Sequence, residues 1–240
     1  MTPETEAPGT EAPGTEAPGT EAPGPEAPGP DAPPPKRSTY RHGNLRNALL
    51  DAALELAREG GPDTVSLREA TRRAGVSPNA AYRHFADRGA LVHGVAQAAM
   101  AQVALAMEAE LDGLPATDDP VARARARFRA VGTGYIRFAV TEPGWFRTAF
   151  HVPADMTYAT DTTAAGAGGL TPFELLGAAL DGLVETGVLP AERRPGAEFL
   201  AWSAVHGLAS LIIDGPLRGI TPEQAHDAGQ GVIDMLERGI

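Results

Sequence analysis

Apolar residues recur at Leu45, Ala48, Leu49, Ala52, Ala53, Leu56 and Ala57, the i, i+3, i+4, i+7 spacing of a helix with one buried stripe. Asn44 is placed to cap its first turn, and Gly60-Gly61-Pro62 to stop it. A second helix opens at Ser66-Leu67-Arg68-Glu69. There the Ser66 hydroxyl can accept from the Glu69 N–H while the Glu69 carboxylate reaches back, a capping box. Leu67, Ala70 and Ala74 form its inner face, Gly75 turns the chain and Val76 plugs the corner. A third helix begins at Ser77, a second N-cap, with Pro78 in the first turn where a missing N–H is harmless. Further along, the pattern predicts helices over about 90–111, 121–140, 145–151, 171–186, 195–213 and 222–238, with a Gly/Ala/Thr-rich loop over 155–169. No segment reads as a strand, so the expected fold class is all-α.

The third helix carries the first chemistry. Ala81 and Phe85 sit four apart and face inward, which leaves Asn79, Ala80, Tyr82, Arg83 and His84 outside. Two helices joined by a glycine-containing turn, the second short and polar outside, form a helix-turn-helix whose second helix enters the DNA major groove. Asn79 and Arg83 suit purine edges. Ser77, Tyr82 and His84 suit phosphate oxygens, as do the amides that Ser66 and Ser77 introduce. Thr39 and Tyr40, just upstream of the first helix, are counted with this set.

Charge sharpens the picture. Residues 1–35 form a pentapeptide array, four copies of Thr-Glu-Ala-Pro-Gly from Thr5 to Gly24 followed by PEAPG and PDAPP. Seven acids, no bases and almost nothing large to bury predict a disordered acidic tail, and no basic or apolar region marks it as a secretory signal. Of the net charge of −11, the tail carries −7, residues 36–93 carry +4 and residues 94–240 carry −8. A basic segment beside an acidic body points to a polyanion partner for that segment, double-stranded DNA. Zero cysteines exclude disulfides and thiolate metal sites and fit a reducing cytoplasm. No apolar run is expected to span a bilayer, so no membrane partner is expected.

The segment TVSLREATRRAGVSPNAAYRHFADRGAL, Thr64 to Leu91, resembles the N-terminal domain of TetR-type transcriptional regulators, and the preceding YRHGNLRNALLDAALEL is similar to their first helix. The resemblance implies an all-helical homodimer with a three-helix DNA-binding head and a larger body holding a ligand pocket. Where the family has Lys followed by Glu, this chain has Arg88 and Gly89. Arg88 keeps the charge expected on a backbone phosphate, and Gly89 weakens the first turn of the fourth helix. EFLAWSAVHGLASLIIDG, Glu198 to Gly215, resembles the Trp…His-Gly element of one subgroup, and TEPGWFRTAF, Thr141 to Phe150, resembles its internal segment.

These readings divide the chain into a tail over 1–35, a DNA-binding head over 36–93 and a ligand-binding and dimerisation body over 94–240. Phe128, Tyr135, Trp145, Phe146, Phe150 and His151 are the candidates for lining a pocket for a small apolar effector. Trp202, Val205, His206, Ala209 and Ile213, with Val232 and Met235 from the last helix, are the candidates for a four-helix dimer interface. His206, alone on an apolar face, reads as a hydrogen-bonded structural residue rather than a metal ligand. The alternating Arg123, Arg125, Arg127 and Arg129 read as a solvated helix edge. No metal or cofactor is expected. His-Glu-x-x-His, Gly-x-Ser-x-Gly and phosphate-loop signatures are lacking, and GAGG at Gly166–Gly169 has no strand–turn–helix context. The expected function is therefore a repressor that binds a palindromic operator as a homodimer and is released by a small molecule. The alternative is a DNA-binding regulator or assembly module with a filled core and no effector.

Overall fold

A computed structural model describes residues 45–151 and 159–239 of the 240-residue chain. The tail, Thr39, Tyr40, the Asn44 cap and part of the 155–169 loop lie outside the described residues. Within them the chain is all-helical, without strands, and runs α1 (Leu45–Gly60), α2 (Leu67–Ala74), α3 (Pro78–Ala81), α4 (Arg88–Asp112), α5 (Pro120–Thr141), α6 (Pro143–Ala149), α7 (Pro172–Glu185), α8 (Ala197–Ile213) and α9 (Pro222–Gly239).

Local signals set most boundaries. The Asp87 side chain accepts from the Ala90 N–H at 2.8 Å, and Asp119 accepts from Val121 and Ala122 at 2.9 and 3.2 Å, so α4 and α5 begin where a carboxylate satisfies free amides. Thr171 and Glu174 form a complete capping box on α7. The capping box expected at α2 is only half made. Ser66 accepts from the Glu69 N–H at 3.2 Å, but the Glu69 carboxylate turns forward to Arg72, at 2.9 and 2.5 Å, because a guanidinium is the stronger partner. Ser77 precedes α3 without a side-chain cap bond, and α3 is a single turn that loosens at Tyr82. Gly75 takes the left-handed conformation, φ 68°, that ends α2 and lets the chain turn.

Two apolar cores share α4. The first gathers Leu49, Ala53, Leu56, Val65, Ala70, Ala81 and Phe85 with Leu91, Val92 and Val95 from the start of α4. The second is built by the rest of α4 with α5 to α9, around residues such as Met107, Phe128, Tyr135, Leu180, Val205 and Ile233. Its double duty makes α4 long and apolar enough, by length and composition, to cross a membrane. That corrects the expectation that no segment would qualify. The cause is an alanine- and valine-rich helix with core on more than one face, where Val95, Ala99, Val103 and Ala104 are fully buried.

Trp145 packs against both cores. Its indole N–H donates to the Leu54 carbonyl at 2.7 Å, its ring stacks on Phe138, and the Arg58 guanidinium lies 4.8 Å above it while pairing with Glu142. At Gly144 a Cβ would stand 2.3 Å from the Arg58 carbonyl oxygen, so α6 meets the end of α1 with no room for a side chain.

Candidate functional site

The outward face of the helix-turn-helix is set by what its neighbours hide. Ala81 is fully buried and Phe85 nearly so, which fixes the rotation of α3 and the turn after it. Asn79, Tyr82, Arg83, His84 and Ser77 are exposed, Tyr82 by 58%, and Ala80 is half-buried. Ser66 is half-buried and committed to the Glu69 amide.

Ion pairing separates the arginines of this region into two kinds. Arg58 is held by Glu142, Arg72 by Glu69, and Arg73 by Glu59 at 2.6 and 2.8 Å. These pairs raise the arginine pKa values and lower those of Glu59 and Glu69 through side-chain hydrogen bonds. Arg83 and Arg68 are exposed and have no acid among the described residues. Their charge is uncompensated, which is the electrostatic footprint of a phosphate-facing surface. Arg68 was not singled out in the sequence, because its place in the apparent capping box drew attention to Ser66 and Glu69.

Arg88 has a different position from the one expected. Its Nε donates to the Val65 carbonyl and its Nη2 to the Pro62 carbonyl, both at 2.8 Å. The guanidinium clamps the α1–α2 connection to the start of α4, as a second donor to the Pro62 carbonyl, which also accepts from the Val65 N–H at 3.2 Å, and as the side-chain donor to the Val65 carbonyl.

The second core holds a cavity of about 360 Å3 between α4, α5, α7, α8 and α9, with Ala149, Phe150 and Ala159 also in its lining. Phe128, Tyr135 and Phe150 line it as the sequence led one to expect. Trp145, Phe146 and His151 do not. Trp145 is occupied at the junction of the two cores, Phe146 is buried behind the wall against Tyr135 and His206, and His151 is exposed past the end of α6. Trp202 and Val205, assigned to a dimer interface, face the cavity instead. His206, Ala209 and Ile213 also turn inward. The reason is that α8 is apolar on nearly every face, so periodicity alone cannot choose its buried side. Its exposed residues are Phe199, at 50%, Leu200, at 65%, Ser203 and Leu211, with Gly207 in open space beside the last three. On α9, Met235 is 59% exposed and Val232 half-buried.

One polar cluster is set into the cavity wall. The Tyr135 hydroxyl lies 2.8 Å from His206 Nδ1 and accepts from Trp202 Nε1 at 3.2 Å. Burial drives the Tyr135 pKa far up and the His206 pKa down, so both groups are neutral. An indole N–H only donates, so Tyr135 Oη accepts from Trp202, while the direction of the Tyr135–His206 bond follows the imidazole tautomer: Tyr135 donates when the ring proton is on Nε2. At the other end Gln97 donates to Asp161 at 3.4 Å. The GAGG segment has a use that the sequence did not suggest. The Glu108 carboxylate accepts from the Ala167 and Gly168 amides, both at 2.9 Å, and a Cβ on Gly166 would stand 2.5 Å from that carboxylate. Among the described residues no cluster of His, Asp or Glu is arranged to hold a metal.

Two family models match the chain. Residues 49–95 match bacterial regulatory proteins of the tetR family, and residues 128–236 match the tetracyclin repressor-like C-terminal domain. No curated protein sequence matches. The structure is similar to a protein of unknown function from Rhodococcus sp. RHA1, at 26% identity over 85% of this chain and 98% of that one, with a TM-score of 0.65. It is similar to RolR in complex with resorcinol, at 20% identity over 83% and 88% of the two chains, with a TM-score of 0.60. It is also similar to the transcriptional regulator FadR from Bacillus subtilis in complex with stearoyl-CoA, at 14% identity over 81% and 98%, with a TM-score of 0.58. At such identities the latter two likenesses speak to the fold alone.

Proposed function

The chain belongs to the TetR family of DNA-binding transcriptional regulators, and from that premise we propose that it is a ligand-responsive repressor, a homodimer that binds a palindromic operator and is released by a small molecule. The observation that carries the ligand-responsive part is the apolar cavity in the second core. A regulator with a filled body would have no such space, and 360 Å3 falls in the range of small-molecule sites, roughly 300–1,000 Å3. RolR and FadR, which share the fold, were each solved with a small molecule bound.

On this reading residues 36–93 are the DNA-binding unit and 94–240 the effector and dimer unit. Asn79 and Arg83 read base edges, while Arg68, Tyr82, His84 and Ser77 engage phosphates; Thr39 and Tyr40 extend that contact. The dimer face is the strip of Leu200, Ser203, Gly207 and Leu211 with Val232 and Met235, where small residues let the partner's helices approach closely. Two copies are needed because one short helix reads too few base pairs, and two set about 34 Å apart read both halves of a palindrome. The effector must bind the DNA-competent and released states with unequal affinity to move the equilibrium. The cytoplasm is the compartment where such a protein meets DNA.

Selection of bound duplex from a random pool, followed by release of the selected site by added compounds, tests this. A salt-sensitive preference for a two-fold symmetric site is expected. Equal affinity for the selected site and random duplex would remove the reading.

A further inference from the structure

We propose that the cavity is built for an uncharged, ring-bearing, largely apolar molecule with a hydroxyl group, and that it rejects both carboxylates and ammonium cations of the same size. This rests on the reading of the cavity as an effector site.

The first support is the absence of charge. Among the described residues no Asp, Glu, Lys or Arg lines the cavity, and the one imidazole in the lining, His93, already interacts electrostatically with Asp161. Several arginines on the surrounding helices are committed to acids outside the cavity. Arg129 bonds Asp234 and Glu237 across the outer seam of α5 and α9, and Arg125 joins Glu237 there. Arg194 pairs with Asp181 and Glu198. A ligand anion entering this space would lose its water and meet only His93, whose charge Asp161 already engages, a desolvation that protein interiors do not tolerate without a dedicated partner. A primary ammonium, compact and strongly hydrated, fares no better, since no carboxylate lines the cavity among the described residues. Asp161 stands behind Gln97 and outside the lining, with one oxygen on the Gln97 amide and the other on the Thr163 amide and hydroxyl.

The second support is the shape of the wall. Phe150 and Trp202 lie 6.3 Å apart between ring centroids, Trp202 and Phe173 6.1 Å, and Tyr135 and Phe150 6.3 Å. Together with Phe128, five of the chain's 13 Phe, Tyr and Trp residues face one cavity. Contiguous rings present flat apolar surfaces and positive edges, which a planar ring of the ligand can meet by offset or edge-to-face contact.

The third support is the polar cluster. Tyr135 Oη takes a proton from Trp202 and, with the His206 ring proton on Nε2, gives its own to Nδ1, which leaves one lone pair of a tyrosine that lines the cavity. That lone pair matches a ligand O–H. Without ligand no buried polar side-chain atom among the described residues is left unsatisfied, so the cavity does not require an ion or a charged group to complete it.

Isothermal titration of the full-length protein without DNA, near pH 7.5 where carboxylic acids are ionised, tests the assignment with bicyclic aromatic probes. These are naphthols, naphthalene, naphthoic acids and a naphthylmethylammonium salt. The naphthols are expected to bind one per chain, and the acid and ammonium probes on the order of 100-fold more weakly. Tyr135→Phe should weaken the naphthols by about tenfold and leave naphthalene unchanged. As a second arm, Gln97→Lys, a half-buried position at the cavity edge, should bring the naphthoates into measurable binding by supplying the missing counterion. Naphthoate or ammonium binding to the unaltered protein as tightly as naphthol, or no binding by any neutral probe, would overturn the inference. Naphthol binding that fails to release selected DNA would leave it standing and count against the regulator reading instead.

Discussion

Arg83 and Arg88 lie five residues apart in the same basic segment, yet their surroundings give them opposite roles. Arg83 stands exposed with no acid beside it, whereas Arg88 donates two hydrogen bonds to carbonyls of the α1–α2 connection. Arg83→Ala should leave the melting temperature unchanged and reduce base discrimination at one operator position by about 1–3 kcal/mol. Arg88→Ala should lower the melting temperature of the whole head, at a cost of about 1–3 kcal/mol in stability for the Val65 carbonyl left without its donor. Thermal unfolding and binding isotherms on selected and random duplex separate the two effects. His206 makes a second residue-level prediction. Burial depresses its folded pKa, so its contribution to stability is present above the unfolded value of about 6.5 and is lost as pH falls below it. Denaturant titrations of the wild type should show that loss between pH 7 and pH 5, values that bracket the ordinary imidazole pKa. His206→Asn, whose amide oxygen can accept from Tyr135, should flatten the profile. An unchanged slope in the variant would mean that other groups titrate there.

At the scale of elements, glycines mark where helices cross most closely. A Cβ at Gly134 of α5 would stand 2.7 Å from the Met107 Cα and 2.8 Å from the Ala106 carbonyl oxygen of α4. Both are backbone atoms that cannot rotate away, so Gly134→Ala should cost about 1–3 kcal/mol through a forced shift of the two helices. Denaturant midpoints measure this, and a stability gain of the kind alanine gives in open helices would show that the crossing is looser. Helix ends were well marked in the sequence. Ser66, Gly75, Thr171 and the proline at the start of α5 act within one turn of chain, so their effect survives removal from tertiary context. The rotation of α8 was not marked, because a helix with apolar residues on every side offers no preferred face until its neighbours are in place.

For the whole molecule, the exposed strip on α8 and α9 makes the dimer testable. Leu200→Glu and Met235→Glu place charge on residues exposed by 65% and 59%, so neither should alter the fold of one chain. Each should shift sedimentation toward monomer and weaken operator binding far more than half-site binding. A stable dimer in the double variant would place the interface elsewhere. The charge distribution, with −7 before the head and −8 after it, also means that attraction to DNA is confined to one segment.

The residues by themselves determined the all-helical class, the helix-turn-helix and most helix limits, because those depend on contacts within a few positions along the chain. They also placed Phe128, Tyr135 and Phe150 among the groups that line the cavity. Tertiary structure alone decided that Trp202 and Val205 face a cavity, that Trp145 ties two cores together and that Arg88 clamps a connection while Arg83 stays unpaired. Those outcomes depend on which surfaces, carbonyls and carboxylates arrive from positions far away in sequence. Competition among such partners has no local signature, so a side chain's role follows from whatever reaches it first in the folded molecule.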